Sequence, residues 1–242
     1  MIRSVLIVFL LGVAPPALAG PAGAEEARTV PKVDPAIVMT EGFLSAHPDL
    51  RWRADGLRAY EKKDYGRALS SFTRAASFAD KPAQALVAGM YWDGIGVAQD
   101  RPLAYAWMDL AAERLYHDFV VFRERYWNAL TEAEREQAVS RGKALYAQYG
   151  DDVAKPRQEA VLVQERRKVT GSRTGYLGPL TIIPMTGPLA GTGMTLSGEQ
   201  YYADKYWEPR AYWQLHDAIW KAPINERVDV GDPEVVDGKK QK

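Results

Sequence analysis

The sequence contains no cysteine in its 242 residues. That absence removes disulfides, thiolate nucleophiles, Cys-ligated zinc and iron–sulfur clusters together. Histidine is scarce: His47, His117 and His216 stand too far apart to form a sequence-local metal motif. An excess of either charge is also lacking, because 31 Lys and Arg balance 31 Asp and Glu. Binding to phosphate backbones or anionic lipid rests on clustered basic side chains, so no nucleic-acid partner is expected. Nothing marks a nucleophile or a metal site, so no enzyme activity and no cofactor are expected either. What is there, 47% hydrophobic and 26% charged residues, is the balance of a folded globular chain.

The first segment reads as an address. Arg3 precedes an apolar run from Val5 through Leu11 that ends at Pro15-Pro16, and Ala17-Leu18-Ala19 supplies the small residues a signal peptidase reads. The run falls short of the roughly 20 residues a spanning helix needs. It therefore reads as a Sec-type signal peptide over residues 1–19, cleaved after Ala19, with Ala22-Gly23-Ala24 as a second site. Without cysteine there is no lipoprotein acylation site, and no later stretch is long and apolar enough to cross a membrane. The expected location is periplasmic or secreted. Cleavage takes away one basic residue, leaving a formal charge of −1.

Three regions follow. Residues 20–45 carry Pro21, Pro31 and Pro35 among small and acidic residues and read as a flexible spacer. Residues 46–150 are helical by pattern. Ala68, Phe72, Ala75 and Ala79 form one apolar stripe, and Ala104, Trp107, Leu110, Ala111 and Leu115 another. Asp100 caps the second of these helices with Pro102 in its first turn, and Thr131-x-x-Glu134 is a capping box opening a further helix that stops at Gly150. In residues 151–242, Gln158–Lys168 reads as a helix or a strand. Seven glycines and three prolines between Gly171 and Gly198 then break regular structure. Ser197-x-x-Gln200 reads as another capping box, and Tyr201, Tyr202, Tyr206, Trp207, Tyr212, Trp213 and Trp220 form an aromatic stretch with a short helix starting at Pro209.

Two helix-pair units repeat. One is Trp52-x3-Gly56, then Ala68-x3-Phe72-x2-Ala75; the other is Ala83-x7-Tyr91-x2-Gly94-x-Gly96-Val97-x2-Asp100, then Ala104-x2-Trp107 and Ala111-Ala112. In both, small residues let two helices approach and an aromatic fills the space between them. The second unit resembles the Sel-one-like repeat (SLR), with Leu103 where the family has Lys and Met108 where it usually has Tyr. The first lacks the Gly-x-Gly-Val loop, turns at Lys63-Asp64-Tyr65, and is similar to the tetratricopeptide repeat (TPR). The likeness covers residues 50–116, about the first two thirds of the helical region. It implies an all-α, short helix-turn-helix solenoid of SLR/TPR type, followed here by a partly irregular Gly/Pro- and aromatic-rich C-terminal region. It also implies interaction without catalysis: a scaffold or adaptor that binds envelope proteins.

Partner-binding candidates follow from the first helix, where 100° steps put Arg53, Leu57 and Tyr60 on the flank that lines a groove in such repeats. Trp92 follows the aromatic that packs the repeat and is a candidate interface anchor. The alternative for all four is ordinary packing or a half-exposed helix face. A second reading is a binder of glycan or peptidoglycan that stacks sugars on Trp207, Trp213 and Trp220, against which stands their packing onto the helices. A third is an envelope hydrolase. His216-Asp217 is the nearest approach to an acid–base pair, but helix neighbours do not face each other.

Overall fold

A computed structural model describes residues 32–168, 180–185 and 190–221 of the protein. The signal-peptide reading of residues 1–19 lies outside these residues, as does most of the Gly- and Pro-rich segment. The fold is all-α, with almost no strand. In chain order the helices are α1 (Pro35–Val38), α2 (Glu41–Ala46), α3 (Pro48–Glu61), α4 (Tyr65–Ala76), α5 (Lys81–Asp93), α6 (Arg101–Ala111), α7 (His117–Ala129), α8 (Glu132–Tyr149) and α9 (Asp151–Arg167). The two-residue strands β1 (Thr181–Ile182) and β2 (Leu196–Ser197) pair antiparallel before α10 (Gly198–Tyr201), α11 (Asp204–Trp207) and α12 (Pro209–Lys221).

Successive helices pack as pairs, α3 on α4 and α5 on α6, while α8 packs on α6 across the intervening α7. The close approach within the first pair depends on Gly56. A Cβ there would lie 2.5 Å from the Phe72 ring, which is wholly buried. On α6, Trp107 is buried in the same core and its ring lies 4.8 Å from that of Tyr149 on α8.

The turns follow from local chemistry. Gly94 ends α5 in the left-handed conformation at φ 68°, which glycine adopts at little cost. Gly96, at φ 72°, sits so close to Tyr65 that a Cβ would meet the Tyr65 Cβ at 2.2 Å, so the loop of one pair rests on the pair before it. Asp64, Asp80 and Asp100 each accept from a backbone amide at the start of the next helix, and Thr131 and Glu134 form the full capping box. Ser197, by contrast, makes no side-chain cap.

Several expectations are corrected. Within the expected spacer of residues 20–45, the part from Pro35 onward forms α1 and most of α2, with Ile37, Val38, Phe43 and Leu44 buried. Asp34 and Thr40 cap these helices, and Pro35 occupies the first turn, where its missing N–H costs nothing. Leu115 leaves its expected stripe: α6 ends at Ala111, a 3₁₀ turn over Ala112–Arg114 breaks the helical phase, and Leu115 is 71% exposed. The segment from Gln158 belongs to one helix, α9, which accommodates Pro156.

The C-terminal region is no separate body. α9 continues from α8 with only Gly150 between them and packs on α2, α11 and α12. Ile37, Phe43, Tyr201, Tyr206, Trp207 and Leu215 form one apolar core shared by the two ends of the chain. A second core runs through α3–α8, and a smaller one joins Ala79, Ala154, Leu162, Tyr212 and Trp213.

Candidate functional site

The face formed by the first helices of the pairs is covered by α12. Tyr212 Oη donates to Asp49 Oδ2 at the start of α3. Ala79, in the turn before α5, packs with Tyr212 and Trp213. At the other end Tyr116 Oη, just before α7, donates to Asp217 Oδ1 over 2.7 Å, and Trp220 lies 5.7 Å from the Phe119 ring. One helix of 13 residues thus touches α3, the turn before α5 and the start of α7.

Polar groups run beneath α12. Arg53 Nη1 lies 3.0 Å from Asp80 Oδ2, and both side chains are largely buried, at 13% and 1% exposure. Asp49 and Asp80 are each pushed up to about 6, chiefly by burial, with the Arg53 charge opposing the rise. Burial drives His216 well below its ordinary range, so its ring is neutral. His47 joins α2 to α11: Nδ1 lies 2.7 Å from the Phe43 carbonyl and Nε2 lies 2.8 Å from the Tyr206 carbonyl. Burial lowers it to about 4, although both carbonyls favour the charged ring.

A second polar knot anchors the helix junctions. Lys81 is 1% exposed and meets Glu113 at 2.5 Å and Asp151 at 3.1 Å. Arg114 bonds the same Asp151 through two nitrogens, at 2.7 and 2.9 Å, and its guanidinium lies 4.7 Å from the Trp213 ring. Burial alone would raise Asp151, but the Arg114 hydrogen bonds and the Lys81 charge hold it well below the usual carboxylate range.

Of the four partner-binding candidates, Arg53 and Leu57 come together: both line a cavity of about 190 Å³ between α3 and α12. Tyr60 sits apart, edge-on to Tyr65 at 5.1 Å. Trp92 stacks flat on Tyr126 at 3.9 Å and 8°, with the Arg101 guanidinium 5.2 Å from its ring. Among the glycan-binding candidates, Trp207 and Trp213 are 3% and 9% exposed. Trp207 Nε1 donates to the Tyr201 carbonyl and Trp213 Nε1 to Glu159 Oε1. Trp220 is half-buried against Tyr116 and Phe119. Protein therefore occupies the two buried indoles and part of the third.

His216 and Asp217 turn to different partners. The His216 ring lies 4.3 Å from that of Tyr212, while Asp217 accepts from Tyr116. Asp49, Asp80 and Tyr116 are not among the sequence candidates, and Tyr212 stands there only as a member of the aromatic stretch. Only Asp80 carries a local signal, as a helix cap; the others acquire their roles through contacts more than 100 positions away.

No family model matches the chain. Among curated proteins and solved structures, no significant match was found either. The repeat resemblance therefore stands on the residues already named. Among the described residues no helix is long and apolar enough to cross a membrane, and no group of three or more His, Cys, Asp or Glu side chains is placed to hold a metal ion.

Proposed function

We propose that this chain is an exported, non-catalytic helical-repeat scaffold of the SLR/TPR type, which binds helical segments of other envelope proteins. The repeat assignment draws support from the Gly94–Asp100 loop and from the consecutive pairing of α3 with α4 and α5 with α6. Export rests on the pattern of residues 1–19 alone.

One observation carries the binding reading: the first helices of the pairs hold an amphipathic, aromatic helix of the chain's own. α12 presents Tyr212, Trp213 and Leu215 inward and is gripped by Asp49 and Tyr116. A face that holds such a helix in cis has the shape and chemistry to hold one in trans. α12 is then a built-in occupant, and partners bind as it lifts. Occupation of the Trp207 and Trp213 rings by protein weighs against sugar stacking in the docked state.

The test uses a fluorescent peptide of residues 208–221 and the full-length protein. Fluorescence anisotropy should show binding to a variant with a loosened α12, Trp213→Ala, and little binding to the wild type. Failure of the peptide to bind a folded Trp213→Ala protein would overturn the reading.

A further inference from the structure

The cavity beneath α12 is not filled by the helix that covers it. It measures about 190 Å³, and its walls come from the segment before α1, from α1–α3 and from α12. Met39, Leu50, Ala54, Leu57 and Ile219 make it largely apolar. A dry cavity of about 150 Å³ accommodates benzene, so this one has room for a substituted ring.

The wall also carries Arg53, Arg58, Glu61, Tyr206, Tyr212 and His216. Arg58 is paired with Asp55, the Tyr206 and Tyr212 hydroxyls are engaged by Asp34 and Asp49, and Glu61 is exposed, which leaves Arg53 and His216 with nitrogens to offer a ligand. Arg53 uses only Nη1 on Asp80, leaving Nη2 and Nε without a protein acceptor among the described residues. The His216 ring touches Tyr212 and Trp213, yet neither of its nitrogens has a hydrogen-bond partner among them. Donors inside an apolar pocket call for an acceptor. The acceptor should carry no charge. Arg53 is already balanced by Asp80, and Asp49 stands beside it, so a ligand carboxylate would be a third acid around one guanidinium.

We propose that this cavity binds a small uncharged molecule with an apolar, ring-sized body and one oxygen acceptor, which Arg53 and His216 hold. Aryl ketones and esters are the matching class. The inference does not depend on the scaffold reading, since the cavity lies between α3 and the docked α12. A purely apolar side chain from a protein partner would leave both polar groups unmatched.

The experiment titrates the full-length protein with acetophenone, toluene and benzoate at pH 7, using saturation-transfer NMR and thermal shift. Acetophenone should bind saturably and raise the melting temperature, and benzoate should not. Ala54→Leu, which fills the cavity, should abolish binding. His216→Phe should weaken acetophenone about tenfold, the loss of one hydrogen bond, and leave toluene unchanged. Because a wall variant can misfold, NOEs from acetophenone to Met39 and Ile219 methyl groups locate the ligand in the wild type. The proposal is overturned by no saturable binding of acetophenone, by benzoate binding equally well, or by NOEs to another site. It is also overturned if a Phe-bearing helical peptide fills the cavity and acetophenone cannot displace it.

Discussion

Tyr212 and Asp49 are 163 positions apart, yet the tyrosine hydroxyl donates to the buried carboxylate and closes α12 onto the start of α3. The bond matters because Asp49 is 1% exposed and its other oxygen, Oδ1, has no hydrogen-bond partner among the described residues. Removing the donor leaves a buried acceptor with little compensation. Tyr212→Phe should lower stability by about 1–3 kcal/mol. It should also raise hydrogen exchange in α12 before exchange in α5 or α6. Chemical denaturation with hydrogen-exchange mass spectrometry checks both, and uniform loss of protection across the chain would contradict local release.

The same carboxylate sets a pH dependence. Asp49 is raised from 3.8 to about 6 by burial, so the folded state binds its proton more tightly than the unfolded state. Its contribution is therefore present at low pH and lost as pH rises through about 6. His47 acts oppositely: lowered from 6.5 to about 4, it contributes above 6.5 and loses that contribution as pH falls through 4. Asp49→Asn keeps an oxygen for Tyr212 and removes only the first effect. The stability of the variant relative to wild type should rise between pH 4 and 7, by on the order of 2 kcal/mol. Urea melts at four pH values measure the difference, and a falling difference would reverse the assignment.

Helix approach in the first pair predicts opposite outcomes at two glycines. Gly56→Ala drives a methyl into the Phe72 ring and should cost about 1–3 kcal/mol. Gly66→Ala, in the first turn of α4 with nothing within 4 Å, should be neutral or stabilise by about 0.5–1 kcal/mol. Thermal melts of the two variants give the comparison.

The Lys81 knot should behave as a buried ion cluster. Lys81→Met leaves Glu113 facing Asp151 without the ammonium between them and should cost about 3 kcal/mol or more. Replacing the far more exposed Lys168, paired with Glu165 on the surface of α9, should change stability by less than about 1 kcal/mol. Paired denaturation curves separate the two.

The legible part of this molecule was local. Caps at Asp100 and Thr131 and the Gly94-x-Gly96 turn follow from spacings of a few residues, because each is decided within one or two turns. The Gly56–Phe72 approach joins two helices and was legible only through the repeated spacing of small and aromatic residues. The covered face was only partly visible. The sequence pointed to Arg53 and Leu57 as groove residues and to the aromatics as packing, but no local pattern joins Tyr212 to Asp49 or Tyr116 to Asp217. The prolines of residues 20–45 masked α1 and α2, since Pro35 in a first turn favours a helix that a proline elsewhere would break. Leu115 was misplaced for a related reason: periodicity continues on paper past the point where a backbone turn ends it.

The central claim is that α12 and a partner helix compete for one face. A photo-crosslinking residue at Leu57 in the full-length protein, activated in the native envelope, tests it most directly. In the wild-type background the crosslinks should run into residues 209–221 of the same chain. In the Trp213→Ala background they should shift to other envelope proteins. Absence of the internal crosslink, or partner crosslinks unchanged between the two backgrounds, would contradict the account.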